Sequence, residues 1–153
     1  MDEKKKKMLL TRGVKCLLDF MFYSGILVTL SLPFSIKWLG LYYGPVVDNY
    51  EESVIIYFVL GISALVLIRE LRKIFRTVLN GNCFVMENVV SLKKMGNWSF
   101  FIALMSVVRS IVYWTVAMDV VVLVFVIAGL FSKVLAMVFE EAVRYKEEND
   151  LTI

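Results

Sequence analysis

Four long runs of almost uninterrupted apolar residues constrain this chain more than any other feature. They cover residues 16–36, 53–71, 98–118 and 120–139. A helix needs about 20 residues to cross ~30 Å of hydrocarbon at 1.5 Å per residue. The runs are continuous rather than alternating, and they exceed the ~10 residues of a membrane β-strand. A helix also satisfies its own backbone in lipid. The expected fold is all-α: one membrane domain over residues 1–153, built as a four-transmembrane-helix bundle. Composition agrees. The chain is 59% hydrophobic with a mean hydropathy of +0.75, against roughly 45–50% apolar for soluble domains. A chain of 153 residues cannot hide that surplus in one small core.

Lysine and arginine set the expected orientation. Fourteen of them fall on one side: Lys4, Lys5, Lys6, Lys7, Arg12, Lys15, Arg69, Arg72, Lys73, Arg76, Lys93, Lys94, Arg144 and Lys146. The other side has Lys37 beside Asp48, Glu51, Glu52 and Asp119. This asymmetry predicts an even number of spans in the cytoplasmic membrane, with both termini in the cytoplasm. The first run follows a basic arm, as a signal peptide would. However, the first alanine is Ala64, so no small-residue cleavage site follows and the run is expected to stay as helix one. On the outer side, Trp38, Tyr42, Tyr43 and Tyr50 read as an aromatic belt or as a platform for an external ligand. Pro33 marks a kink in helix one. A very tight turn is expected at residues 117–120.

The inner connection, residues 72–97, is the longest polar element. Leu71, Ile74, Phe75, Val78 and Leu79 recur at helical spacing, opposite a basic face. Asn80-Gly81-Asn82 ends that helix, with Gly81 as a left-handed cap. A second short helix is expected over residues 84–95, apolar at Val85, Val89, Leu92 and Met95, and ended by Gly96. The pair reads as an interfacial hairpin on the inner leaflet, drawn to anionic lipid. Residues 140–153 form the cytoplasmic tail.

Charges inside lipid are costly and face a bundle interior or a cavity. Three qualify: Asp19, Arg109 and Lys133. Asp19 and Lys133 share a depth and suit an ion pair between helices one and four; Lys133 can instead snorkel toward Glu140. Arg109 has Ser106, Ser110 and Tyr113 nearby on its own helix. Two readings stay open: polar contacts that fix helix register, or a transport or ligand path. Helix four carries Ala128, Ser132 and Ala136 at four-residue spacing, which allows close helix approach within the chain or in a homo-oligomer. Gly61 and Ala64 on helix two are a weaker version of the same signal.

Catalysis finds little support. Histidine is absent, which removes the commonest general base and metal ligand. Cys16 and Cys83 stand far apart, outside any zinc or iron–sulfur spacing. No phosphate loop and no carboxylates paired on a cavity are present. Neither a metal nor another cofactor is expected, and topology explains the basic arm without nucleic acid.

Three segments together resemble a known family. They are Asn80-Gly81-Asn82-Cys83-Phe84-Val85-Met86-Glu87-Asn88, then Leu92-Lys93-Lys94-Met95-Gly96, and the ending Glu147-Glu148-Asn149-Asp150-Leu151-Thr152-Ile153. The chain resembles the bacterial and archaeal membrane-protein family called domain of unknown function 2975, which usually has proline where Cys83 stands here. The resemblance implies four helices over nearly the whole chain and brings no activity, substrate or cofactor. By gene association it implies a cytosolic helix-turn-helix regulator of the Cro/C1 type as partner. The docking surface would involve Phe84, Glu87, Asn88, Asn149 and Asp150, near the Gly81 turn; alternatively, Glu87 and Asn88 cap helix ends while the tail folds back on the loop. The functional expectation is a non-enzymatic membrane protein that acts by interaction, as a sensor or regulator partner. A small transporter or channel, and an immunity protein against membrane-active peptides, are the alternatives.

Overall fold

The computed structural model describes residues 3–39, 50–112 and 114–150. Within them the chain is four helices: α1 (Glu3–Leu39), α2 (Tyr50–Leu79), α3 (Met86–Val112) and α4 (Val116–Asp150). At 1.5 Å per residue they are about 55, 45, 40 and 52 Å long. α1, α2 and α4 are each long and apolar enough to cross a membrane. Glu51 and Glu52 lie in the first turn of α2, and Glu87 and Asp119 in the first turns of α3 and α4, where carboxylates complement the positive end of the helix dipole.

Two boundaries differ from expectation. No break occurs at Gly96: the expected short helix over 84–95 and the third apolar run form one helix, α3. Glycine ends a helix where positive φ is needed, and among the described residues only Gly81 has it, at +80°. Gly96 instead lies under the methylenes of Lys133, and an added Cβ would stand 2.9 Å from Lys133 Cγ. It serves close approach to α4. The connection between α3 and α4 falls at residues 113–115 rather than 117–120. The Met118 N–H donates to the Thr115 carbonyl at 2.9 Å, so Ala117 to Val120 already belong to the first turns of α4.

The helices pack in series rather than as a closed bundle. α1 packs on α2, α2 on α3 and α3 most extensively on α4, while among the described residues α1 reaches neither α3 nor α4. The same device joins both outer pairs. Gly25 receives Leu65 while Gly61 receives Thr29, with an added Cβ meeting either neighbour at 2.9 Å. Gly96 receives Lys133 while Gly129 receives Phe100, whose ring atoms stand 3.0–3.2 Å from the position of an added Cβ. In each antiparallel pair the two contacts are four residues apart, on one face. Lipid supplies no hydrophobic drive between helices, so close backbone approach through small residues carries this packing.

α3 lies between α2 and α4, which explains its polarity. Asn88, Ser91, Ser99, Ser106 and Arg109 are buried on it, facing protein rather than lipid. The exposed large apolar side chains include Leu17, Phe20, Leu27 and Phe34 on α1 and Leu123, Ile127 and Phe131 on α4. At one end of the array, Ile74, Leu92 and Ala136 form a buried cluster with Val78, Met95, Leu135 and Phe139. The apolar faces expected on an interfacial hairpin therefore pack against each other and α4, as the ends of α2 and α3.

Candidate functional site

The antiparallel order brings the start of α1, the end of α2, the start of α3 and the end of α4 together. This is the basic end of the molecule. α2 terminates there in a Schellman turn: the Gly81 N–H donates to the Val78 carbonyl at 3.1 Å and the Asn82 N–H to the Thr77 carbonyl at 3.0 Å. Gly81 fills the left-handed position as expected.

Behind that turn stands a buried polar latch. Asn88 is fully buried. Its Nδ2 donates to the Cys83 carbonyl at 2.7 Å, and its Oδ1 lies 2.8 Å from the Thr77 hydroxyl, which also lies 2.8 Å from the Ile74 carbonyl. One helical turn along α3, the Ser91 hydroxyl donates to Glu70 Oε2 at 2.9 Å, and Lys73 Nζ donates to Glu70 Oε1 at 2.8 Å. Glu70 is buried. A buried carboxylate needs partners of this kind to hold its charge, and the bond from Ser91 ties α3 to α2. On the far side of α3, Lys93 Nζ pairs with Glu140 at 2.8 Å. The Phe84 ring packs on Phe139 at 5.3 Å between centroids, fixing the turn against α4.

The motif residues thus separate by role. Gly81 and Asn88 hold the turn. Phe84 and Glu87 are exposed, as are Asn149 and Asp150. Through Asp150 the tail continues α4 as helix rather than folding back; its last three residues lie outside the described residues. Beside Phe84, a cavity of about 490 Å³ opens between Met86, Met137, Glu140, Glu141, Arg144 and Glu147.

The three charges expected inside the membrane are not brought together. Asp19 accepts from Arg72 Nε at 2.6 Å, not from Lys133; α1 meets α2 alone, so Lys133 is out of reach. Arg72 also lies over the Phe22 ring at 4.6 Å. Lys133 makes no ion pair among the described residues; its stem covers Gly96, and Glu140 is taken by Lys93. Arg109 turns away from its own helix toward α2, with Nη2 3.5 Å from Ser53 Oγ and its guanidinium 5.6 Å from the Tyr57 ring centre. Ser106 is fully buried and its hydroxyl has no hydrogen-bond partner among the described residues. Ser110 donates to Asp119 instead, at 3.2 Å, beside Trp114 Nε1 at 2.9 Å. Tyr113 lies outside the described residues, as do Tyr42 and Tyr43; Tyr50 donates to the Pro33 carbonyl at 2.9 Å. In the expected small-residue row of α4, Ser132 and Ala136 are buried and Ala128 partly so; Ala136 packs within the chain, on Ile74 and Leu92.

Sequence reasoning passed over Glu70, Ser91 and Thr77. A lone carboxylate inside the run Arg69-Glu70-Leu71-Arg72-Lys73 was the signal for the first; nothing distinguished the other two from ordinary polar positions.

Long apolar helices whose outward faces stay uncovered define an all-α protein of the multi-pass membrane class. The chain belongs to the family of proteins of unknown function DUF2975, whose model matches residues 21–153. No curated protein and no solved structure matches it.

Proposed function

We propose that this protein is a multi-pass component of the cytoplasmic membrane, with both termini in the cytoplasm, that works by holding a cytosolic partner at its basic end. The carrying observation is the combination found there: a turn latched by buried Asn88, beside exposed Phe84, Met86 and Met137 and the acidic side chains of Glu140, Glu141 and Glu147. α4 supports this reading. It is about 20 Å longer than the hydrocarbon it would cross, so its last turns stand in water and carry that rim outward.

The charge segregation favours a cytoplasmic position for this end. α3 is about 40 Å long and is joined to α2 and α4 by connections of only six and three residues. α3 also packs along both α2 and α4, which supports its crossing between them. The family resemblance points to a helix-turn-helix regulator as the partner; on the rim Glu140 and Glu141 are balanced by Lys93 and Arg144, so the exposed apolar side chains of Phe84, Met86 and Met137 would carry the contact. A path for transport draws no support from Asp19, Arg109 and Lys133, which are divided among three helix contacts.

Photo-crosslinkable residues at Phe84 and Met137, with a control at lipid-facing Leu123, test the proposal in living cells. A helix-turn-helix regulator captured from the first two positions and not from the third is the expected result. Lipid adducts alone, or identical adducts from all three, would overturn it.

A further inference from the structure

A second feature of the basic end lies on the other side of α2, away from the partner ledge. A cleft of about 260 Å³ between α1 and α2 is lined by Lys15, Asp19, Arg69, Arg72, Lys73 and Arg76. Arg69, Arg72, Lys73 and Arg76 occupy positions i, i+3, i+4 and i+7, one face of the helix. Like charges at this spacing repel. Arg72 is answered by Asp19 and Lys73 by Glu70; Lys15, Arg69 and Arg76 make no ion pair among the described residues. Three cations are therefore gathered with a fourth and fifth around one small opening, and the only carboxylate lining it is already engaged.

We propose that this cleft is a phosphate site that takes the headgroup of an anionic phospholipid. Guanidinium groups match phosphate oxygens in geometry as well as charge. An opening of about 260 Å³ ringed by five cations suits a phosphate-bearing headgroup. The flank supplies the lipid: Leu17, Phe20 and Met21 on α1 beside the cleft are exposed and apolar, a surface on which acyl chains can lie. Basic pockets between membrane helices on the cytoplasmic side bind such headgroups. The site shares no lining residue with the partner ledge, so either proposal can fail alone.

The test is thermal stability of the purified chain in neutral detergent, titrated with phosphatidic acid, with phosphatidylcholine or with inorganic phosphate. The chain with R69Q and R76Q is the variant, and K93Q controls for loss of a basic-end charge elsewhere. Phosphatidic acid is expected to raise the melting temperature of the wild type and of K93Q, with half-saturation in R69Q/R76Q shifted by about tenfold or more. The R69Q/R76Q chain should melt near the wild type without lipid, since neither arginine holds an ion pair. Equal response to phosphatidic acid and phosphatidylcholine, or no difference between wild type and R69Q/R76Q, would overturn the site. Equal protection by inorganic phosphate would overturn the lipid as its source.

Discussion

Arg72 Nε donates to Asp19 Oδ1 across 2.6 Å, the one ion pair between α1 and α2 among the described residues. Both side chains are about a quarter to a third exposed, so water screens the pair, and exposed pairs contribute about 0–1 kcal/mol. Asp19→Asn is therefore expected to cost about 1 kcal/mol, read as a lowered unfolding midpoint in detergent. A double-mutant cycle with Arg72→Gln separates the pair from the stacking of Arg72 on Phe22. Asp19→Asn should lose most of its effect in the Arg72→Gln background, while Arg72→Gln keeps a residual cost in the Asp19→Asn background.

The reciprocal glycine contacts predict an order of alanine substitutions rather than one common effect. At Gly61 the added methyl meets Thr29, whose β-branched side chain is stiff. At Gly129 it meets the Phe100 ring, which cannot fold aside. Overpacking costs about 1–3 kcal/mol, against about 1 kcal/mol of helix propensity gained. Gly61→Ala and Gly129→Ala are thus expected to destabilise. At Gly96 the added methyl meets Cγ, Cδ and Cε of Lys133 at 2.9–3.1 Å, the inner stem rather than the free end of that side chain, so Gly96→Ala should destabilise as well, by less than Gly129→Ala. Gly13 has nothing within 4 Å of an added Cβ, and Gly13→Ala should stabilise by about 0.5–1 kcal/mol. Unfolding of the four variants in one detergent gives the ranking, and a Gly61→Ala chain as stable as Gly13→Ala would refute it.

The buried amide of Asn88 and the exposed carboxylate of Glu87 are neighbours in sequence with opposite consequences. Asn88→Ala removes the bond to the Cys83 carbonyl and the contact with the Thr77 hydroxyl from a fully buried site, a loss of about 1–3 kcal/mol. Glu87→Ala should stay within about 0.5 kcal/mol. Asn88 uses the carbonyl of Cys83 and not its N–H, which donates to no backbone carbonyl among the described residues. Cys83→Pro should therefore keep the latch and leave the melting temperature equal or higher. Hydrogen exchange across residues 76–88 measures all three, with faster exchange for Asn88→Ala alone.

The elements that were legible in the sequence are those set by local chemistry. Gly81 reads as a left-handed cap because only glycine takes that backbone freely at a helix end. The run of Val, Leu, Ile and Phe over 120–139 reads as helix from continuity alone. Gly96 misleads because a glycine that ends a helix and one that admits a neighbour look alike; the difference lies in Lys133, 37 residues away. The partner of Asp19 was likewise hidden. Depth along the membrane allows Lys133 as readily as Arg72, and only the serial order of the helices decides between them. Glu70 and Ser91 become a pair only when α2 and α3 align.

The place of α3 among its neighbours bears on the topology. α1, α2 and α4 are apolar enough to cross, whereas α3 carries Lys93, Lys94 and Arg109. If α3 stayed out of the bilayer, three crossings would put the termini in opposite compartments. Burial of Asn88, Ser91, Ser99, Ser106 and Arg109 against neighbouring helices removes the lipid penalty that would keep α3 out. Four crossings are then expected, and both termini on one side. Reporter fusions at Met1 and Ile153 should both give cytoplasmic signals, while a reporter inserted after Gly44 should report the opposite side of the membrane. A split result for the two ends would exclude α3 as a span and dismantle the proposed orientation.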